Sequence, residues 1–182
     1  MYIYGGMLEA ANYPTSLIHT SGTSVTRLAD VCNNSGSAQD FNSEEGVLYA
    51  EIAALADDAT RRYITISNGS DSYIRLTYTD ASNQLGARYY VNGTFQCAFL
   101  YTITDTTQFT KAAFKYKEND FALWVNGVEV ASDTSGSVNP PNTFNRLDFI
   151  NYNNVLPFYG KVRNLQVFTE ALSDAELQQL TT

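Results

Sequence analysis

The sequence predicts an all-β protein: a two-sheet antiparallel β-sandwich with one short C-terminal helix and an extended N-terminal arm. Three observations predict it. Short β-prone runs are punctuated throughout by Gly, Asn, Asp and Ser. One of them, DFALWVNGVEVA at 120–131, alternates in character on both sides of an Asn-Gly pair. The closing stretch, FYGKVRNLQVFTEALSDAELQQL at 158–180, reads as an apolar strand followed by a helix start.

In the first of these stretches Phe121, Leu123 and Val125 alternate with Ala122, Trp124 and Asn126. That period of two belongs to a strand whose faces meet different surroundings. Asn126-Gly127 suits a two-residue type I′ turn, because both central residues of that turn need φ > 0. Val128 and Val130 resume the apolar face, and Asn92-Gly93 marks a second hairpin of the same kind. Near the C-terminus Val162, Leu165, Val167 and Phe168 form an apolar strand. Ser173 and Glu176 then make a capping box, with Asp174 and Glu176 at the positive end of the helix dipole. Leu172, Leu177 and Leu180 would anchor that helix to the sandwich. The strands are expected at 46–54, 62–67, 73–79, 85–91, 95–103, 109–117, 121–126, 128–132, 143–150 and 158–168, with Pro140-Pro141 breaking the chain before the penultimate one.

A chain of 182 residues with 44% hydrophobic and 13% aromatic content has material for one sizeable core, and 16% charged residues argue against disorder. The division is residues 1–43, a strand and extended connector, and residues 44–182, the sandwich. Ser, Thr and Asn dominate the polar remainder, as is usual in extracellular or virion-borne β-proteins. A net charge of −8 and a pI near 4.5 exclude nucleic acid and anionic membranes as partners, since no basic run exists to displace counterions. No apolar run is long enough for membrane insertion. The start MYIYGGMLEA lacks the cationic and apolar regions of a Sec signal, so release by cell lysis is expected.

The WVNG hairpin at 124–127, the GKVRNLQVF strand at 160–168 and the ALSDAEL helix start at 171–177 together resemble the laminin-G-like, concanavalin A-like lectin/glucanase jelly-roll family. The resemblance covers roughly residues 44–182 and implies the jelly-roll fold far more than any one activity. A second resemblance lies upstream. YIYGGMLEAANYPTSLIHTSGTSVTRLAD, at 2–30, is similar to a passage in tail-associated and other structural proteins of bacteriophages and prophages. There it closes an upstream carbohydrate-binding-like sandwich and connects it to the laminin-G-like domain. This implies a virion-surface, extracellular component that contacts other virion proteins through residues 1–30 and forms a homo-oligomer, a trimer being common in fibres. The upstream sandwich is missing here. Either the chain is cut from a longer tail protein, or residues 1–10 pair with its own sheet or a neighbouring subunit.

Catalysis is not expected. The sandwich glucanases of the family carry E-x-D-x-x-E on one strand, so that alternate acids line a cleft. The nearest approach is Glu118-Asn119-Asp120, and Leu123 stands in the place of the second Glu. His19, the single histidine, lies in the connector and offers a lyase no general base. G-x-S-x-G, Cys-His pairs and phosphate loops are absent from the sequence. One His and two distant Cys cannot hold zinc. No cofactor is required, but Ca²⁺ stays open: Asp57, Asp58 and Asp133 offer oxygen ligands without the spacing of a self-contained loop. Cys32 and Cys97 allow a disulfide and read first as two buried small hydrophobes.

What remains is a binding surface. If Phe121, Leu123 and Val125 face inward, Trp124 faces outward, and the same phase sends Tyr73, Arg75, Arg88, Tyr90 and Lys115 out. One exposed face carrying Trp124, Tyr90, Tyr73, Arg75, Arg88 and Lys115 would suit a polysaccharide with carboxylate or sulfate groups. The alternative is that these side chains stack under loops or bury a subunit contact. A second candidate is the loop 151–159, where Tyr152 and Tyr159 stand among amides. The expected function is therefore non-catalytic adhesion of a virion to host-surface or environmental glycans. Its rival is a capsid-decorating or fibre protein whose sandwich is mainly structural.

Overall fold

The computed structural model describes His19, residues 21–23, 32–153 and 155–182. The chain divides into a unit Met1–Val31 and a unit Cys32–Thr182. In the first, His19 is exposed. The expected N-terminal strand and the rest of the connector lie outside the described residues.

The second unit holds β1 (Glu45–Ala54), β2 (Arg62–Ser67), β3 (Tyr73–Tyr78), β4 (Gln84–Val91), β5 (Thr94–Thr102), β6 (Thr110–Lys117), β7 (Phe121–Val125), β8 (Val128–Asp133), β9 (Arg146–Asp148) and β10 (Gly160–Phe168), followed by α1 (Asp174–Thr181). They form two five-stranded antiparallel sheets, ordered β10-β1-β6-β7-β8 and β5-β4-β3-β2-β9. The Asn-Gly hairpins have the expected turn. Asn126 and Gly127 have φ of 47° and 82°, and Asn92 and Gly93 have 47° and 75°, the pair of left-handed residues that a type I′ turn demands.

Alternation builds the core between the sheets. Leu48, Ala50 and Ile52 of β1, Phe114 and Tyr116 of β6, and Phe121 and Leu123 of β7 meet Ile64 and Ile66 of β2, Ile74, Leu76 and Tyr78 of β3, and Leu85, Ala87 and Tyr89 of β4. Buried tyrosine hydroxyls find backbone partners, as they must in a dry interior. Tyr89 Oη donates to the Ser43 carbonyl at 2.6 Å, and Tyr116 Oη donates to that of Asn42 at 2.7 Å.

Three expectations need correction. The penultimate strand is Arg146–Asp148 rather than 143–150. Its flanks are taken by other partners: Thr143 Oγ1 donates to the Pro140 carbonyl at 2.6 Å, and the Phe149 N–H donates to Cys32 at 2.8 Å. The last strand starts at Gly160 rather than residue 158, because the Tyr159 N–H closes a tight turn onto Pro157 at 3.0 Å. Cys32 is exposed while Cys97 is buried, and both are free thiols.

The outer face of the first sheet is covered by α1. At its N-terminus the Ser173 N–H and hydroxyl both donate to the Glu176 carboxylate, at 2.8 and 2.6 Å. Leu177 is buried against Val47, Tyr49, Ala113, Ala122 and Trp124, with Leu172 and Leu180 at the margin. The far end is tied to the β7–β8 turn. Thr181 Oγ1 accepts from the Gly127 N–H at 3.1 Å, and Lys111 Nζ donates to the Thr182 carbonyl at 2.7 Å.

Candidate functional site

With α1 on the first sheet, the outer face of the second sheet is the place to look for a binding site. Because the residues alternating with Ile64, Leu76 and Ala87 point away from the core, this face carries Tyr63 and Thr65 of β2, Tyr73, Arg75 and Thr77 of β3, and Gly86, Arg88 and Tyr90 of β4. The ladder sets them in rows. Tyr73 pairs with Tyr90 and Tyr90 with Phe95; Arg75 pairs with Arg88; Thr77 pairs with Gly86 and Gly86 with Leu100.

The first row is a continuous aromatic stack. Phe95 and Tyr90 have ring centroids 4.2 Å apart, Tyr90 and Tyr73 are 4.3 Å apart, and Tyr73 and Tyr152 are 4.8 Å apart at an interplanar angle of 13°. Tyr152 comes from the loop after β9, so the two separate sequence candidates merge into one feature. Tyr159 does not join it. It is exposed, and its carbonyl accepts from Arg62 Nε at 2.6 Å. The row is also less open than a flat platform: Tyr73 is buried, Tyr90 and Tyr152 are half-buried, and Phe95 is exposed.

The second row holds two guanidinium groups side by side. Arg75 Cζ lies 4.8 Å from the Tyr63 ring centroid and 5.1 Å from that of Tyr73, and Arg88 Cζ lies 5.4 Å from that of Phe95. Among the described residues every other arginine has a carboxylate within reach: Arg61 with Asp80 at 2.6 Å, Arg62 with Asp58 at 2.8 Å, Arg146 with Asp148 at 2.8 Å and Arg163 with Glu51 at 3.3 Å. Arg75 and Arg88 have none. Their Nε atoms are buried without a hydrogen-bond partner, as is Thr65 Oγ1 on the same face. Asp148 Oδ2 and Arg146 Nε are close but misaligned for a bond, so they too count as unsatisfied. Arg75 is only 6% exposed. Burial pulls its pKa below the ordinary arginine value, an effect the nearby tyrosines oppose and the Arg88 charge reinforces. An arginine nevertheless stays charged, and a buried charge without a counter-ion is costly.

Beside this row lies a depression of about 90 Å³, walled by Tyr63, Arg75, Thr77, Gln84, Arg88 and Leu100, with Arg61 and Asp80 at one end. The Arg61 hydrogen bond holds the Asp80 carboxyl below the usual aspartate range. Leu100 stands exposed at its edge, and Phe95, also exposed, flanks Arg88. Two guanidiniums side by side have the donor geometry to take an oxyanion through parallel N–H groups.

Two of the residues expected on this face are elsewhere. Trp124 does point away from the core, yet β7 belongs to the first sheet and the ring lies under α1 at 7% exposure. Lys115, on β6 of that same sheet, is buried and bonded to Asp120 at 2.7 Å, with Asp174 of α1 at 3.8 Å. Tyr73, Arg75, Arg88 and Tyr90 are brought together. The aspartates considered for Ca²⁺ are engaged locally. Asp57 accepts from Ser82 and from the Asn83 N–H, Asp58 pairs with Arg62, and Asp133 accepts from the Ser135 N–H and hydroxyl. Among the described residues no three ligating side chains cluster. Phase reasoning also turns Thr77 outward, but it missed Leu100 and Phe95. A glycine inside the strand LGARYYV was the available signal, since glycine there marks a close approach, here of Thr77 and Leu100.

Two five-stranded antiparallel sheets packed as a jelly-roll-like sandwich define a lectin-type fold. The chain belongs to the concanavalin A-like lectin/glucanases superfamily, whose Laminin_G_3 family matches residues 36–178. Among solved structures it is similar to the CBM40 of the Ruminococcus gnavus IT-sialidase bound to α2,3-sialyllactose, at 17% identity and a TM-score of 0.66 over 85% of this chain and 96% of that one. It is also similar to domain 4 of AbnA, a GH43 extracellular arabinanase from Geobacillus stearothermophilus, in complex with arabinotriose. There the identity is 15% and the TM-score 0.60, over 81% of this chain and 70% of that one. At these identities the likeness is one of fold. No curated protein matches the chain. Among the described residues no helix is long and apolar enough to cross a membrane.

Proposed function

We propose that the chain is a non-catalytic glycan-binding protein that holds an acidic polysaccharide on the outer face of its second sheet. The observation that carries this reading is the Arg75–Arg88 pair, two guanidiniums without a carboxylate partner among the described residues, set beside a row of four aromatic rings. The exposed ring at the end of that row, Phe95, can take the apolar face of a sugar, and guanidiniums take its carboxylate or sulfate. The ligands of two structures with this fold, sialyllactose and arabinotriose, support a sugar as the ligand class. The test is retention of the full chain in affinity electrophoresis through acidic and neutral polysaccharides. Tyr90→Ala and Arg88→Ala should each weaken retention about tenfold, the equivalent of one good contact. If no polysaccharide retards the wild-type chain, the reading is wrong.

The proposal sets this sandwich on a virion exterior, exposed to host-surface or environmental glycans. The likeness of residues 2–30 to the connector of phage structural proteins supports that context. Deleting residues 1–30 should abolish assembly into a homo-oligomer, read by sedimentation, and leave polysaccharide retention in place. An unchanged oligomeric state would remove the role given to the arm.

A further inference from the structure

We propose, building on the glycan-binding reading, that the depression beside Arg75 and Arg88 is a pocket for a single oxyanion substituent of the glycan, a sulfate ester or a carboxylate. The sugar ring bearing it stays outside, at the exposed rim. Gly86 sets two of the walls. Its backbone is not in the left-handed region that glycine alone tolerates, so conformation does not call for glycine there. Close approach does: a Cβ at this position would lie 3.1 Å from Thr77 Cγ2, 3.3 Å from Leu100 Cδ2 and 3.4 Å from the Phe99 carbonyl oxygen. Thr77 and Leu100, which wall the depression, close over the glycine, and a side chain at residue 86 would displace both.

The depression has room for such a group. On the scale of its volume of about 90 Å³, a single water needs only about 10–15 Å³. Charge decides its sign. Arg75 is more than nine-tenths buried, lines this depression and lacks an anionic partner among the described residues. Arg88 lies directly opposite it in the ladder. Two such groups clamp an oxyanion through parallel N–H donors, and the Gln84 amide, whose oxygen already accepts from Thr79, has its NH2 left to donate into the same depression. Asp80, the carboxylate at the far end, is already neutralised by Arg61 at 2.6 Å. The chain as a whole carries −8 and repels polyanions, so retention of an acidic glycan requires a local site of this kind.

The experiment compares a sulfated, a uronic-acid-bearing and a neutral polysaccharide against the full chain, with inorganic sulfate as competitor. Retention on one or both acidic polymers, little on the neutral one, and relief by sulfate are expected. The acidic polymer that is retained names the source of the oxyanion. Gly86→Val displaces the Thr77 and Leu100 walls without altering charge and should weaken acidic-glycan retention at least tenfold. If that variant fails to fold, Leu100→Trp, made at an exposed position, closes the mouth from the rim and should act the same way. Equal retention of acidic and neutral polymers overturns the oxyanion pocket while the broader glycan reading stands. So does wild-type retention by folded Gly86→Val or by Leu100→Trp. Absence of retention on every polymer overturns both.

Discussion

Replacing Trp124 by Ala should destabilise the sandwich and leave glycan binding intact. The ring is 7% exposed, lies beside Ala113 across the ladder and is capped by Leu177 of α1. Deleting a buried Trp side chain costs about 3–5 kcal/mol, transfer and cavity terms together. One feature of the site lowers that figure. Trp124 Nε1–H is buried without an acceptor, and losing an unsatisfied donor recovers part of a desolvation penalty of about 1–3 kcal/mol. The net expectation is about 3 kcal/mol, which for a domain of this size lowers Tm by roughly 6–12 °C. Thermal and urea unfolding followed by circular dichroism measure it. Fluorescence does not serve, because Trp124 is the chain's single Trp. Trp124→Phe keeps most of the packing and discards the orphaned donor, so it should lose only about 1 kcal/mol. A Trp124→Ala protein that melts within about 2 °C of wild type would refute burial under α1. So would one that stays folded and loses polysaccharide retention, because that result places the ring on the ligand.

Three further outcomes are expected. Arg75→Met removes a buried guanidinium that has no anionic partner among the described residues, and the relief outweighs the lost cation–π contacts of about 0.5–2 kcal/mol; stability by denaturant titration is held or raised while acidic-glycan retention falls, and a loss of more than about 2 kcal/mol contradicts this. Glu176 is held below the ordinary glutamate range by its hydrogen bonds from Ser173. Its contribution to α1 is therefore complete above that range and is lost as pH falls through it to the lower folded value. The protection factor of the Leu177 amide, its exchange rate set against the intrinsic rate at each pH, should fall as the pH drops from about 5 to about 3, and a protection factor that does not change over that interval argues against the cap. Gly127→Ala puts a Cβ at φ 82° and 3.0 Å from Thr182 Oγ1, which should destabilise the hairpin by about 1–2 kcal/mol. An unfolding midpoint equal to that of wild type would count against the type I′ assignment.

Much of the fold was legible in residues that act locally. Asn-Gly pairs announce their turns because few other residues tolerate two consecutive positive φ values, and the SDAE box announces α1 because its hydrogen bonds span four residues. Strand ends were read less well where a distant carbonyl competes for the ladder. Phe149 leaves β9 for Cys32, and no nearby residue signals that exchange. The site was half legible. Tyr73, Arg75, Arg88 and Tyr90 share a face because β3 and β4 are neighbours joined by the short connection at 79–83, while the same phase argument also placed Trp124 and Lys115 there, on strands of the other sheet. Tyr152 enters from a loop, and Thr77 and Leu100 matter through the depression they wall.

Alternation tells each strand which of its residues share a side, since the pleat has a period of two whatever lies around it. It does not tell two strands that they share a sheet. Trp124 and Tyr73 obey the same outward rule, yet β7 pairs with β6 and β8 while β3 pairs with β2 and β4, so they lie on opposite exteriors of the sandwich. Those pairings, like that of β1 with β10, are settled by hydrogen bonds and burial between residues far apart in the chain. That is why the amino-acid order alone yielded a sandwich with an aromatic and basic exterior. The folded chain sends Trp124 beneath a helix and sets Arg75 and Arg88 side by side, with no carboxylate paired to either among the described residues.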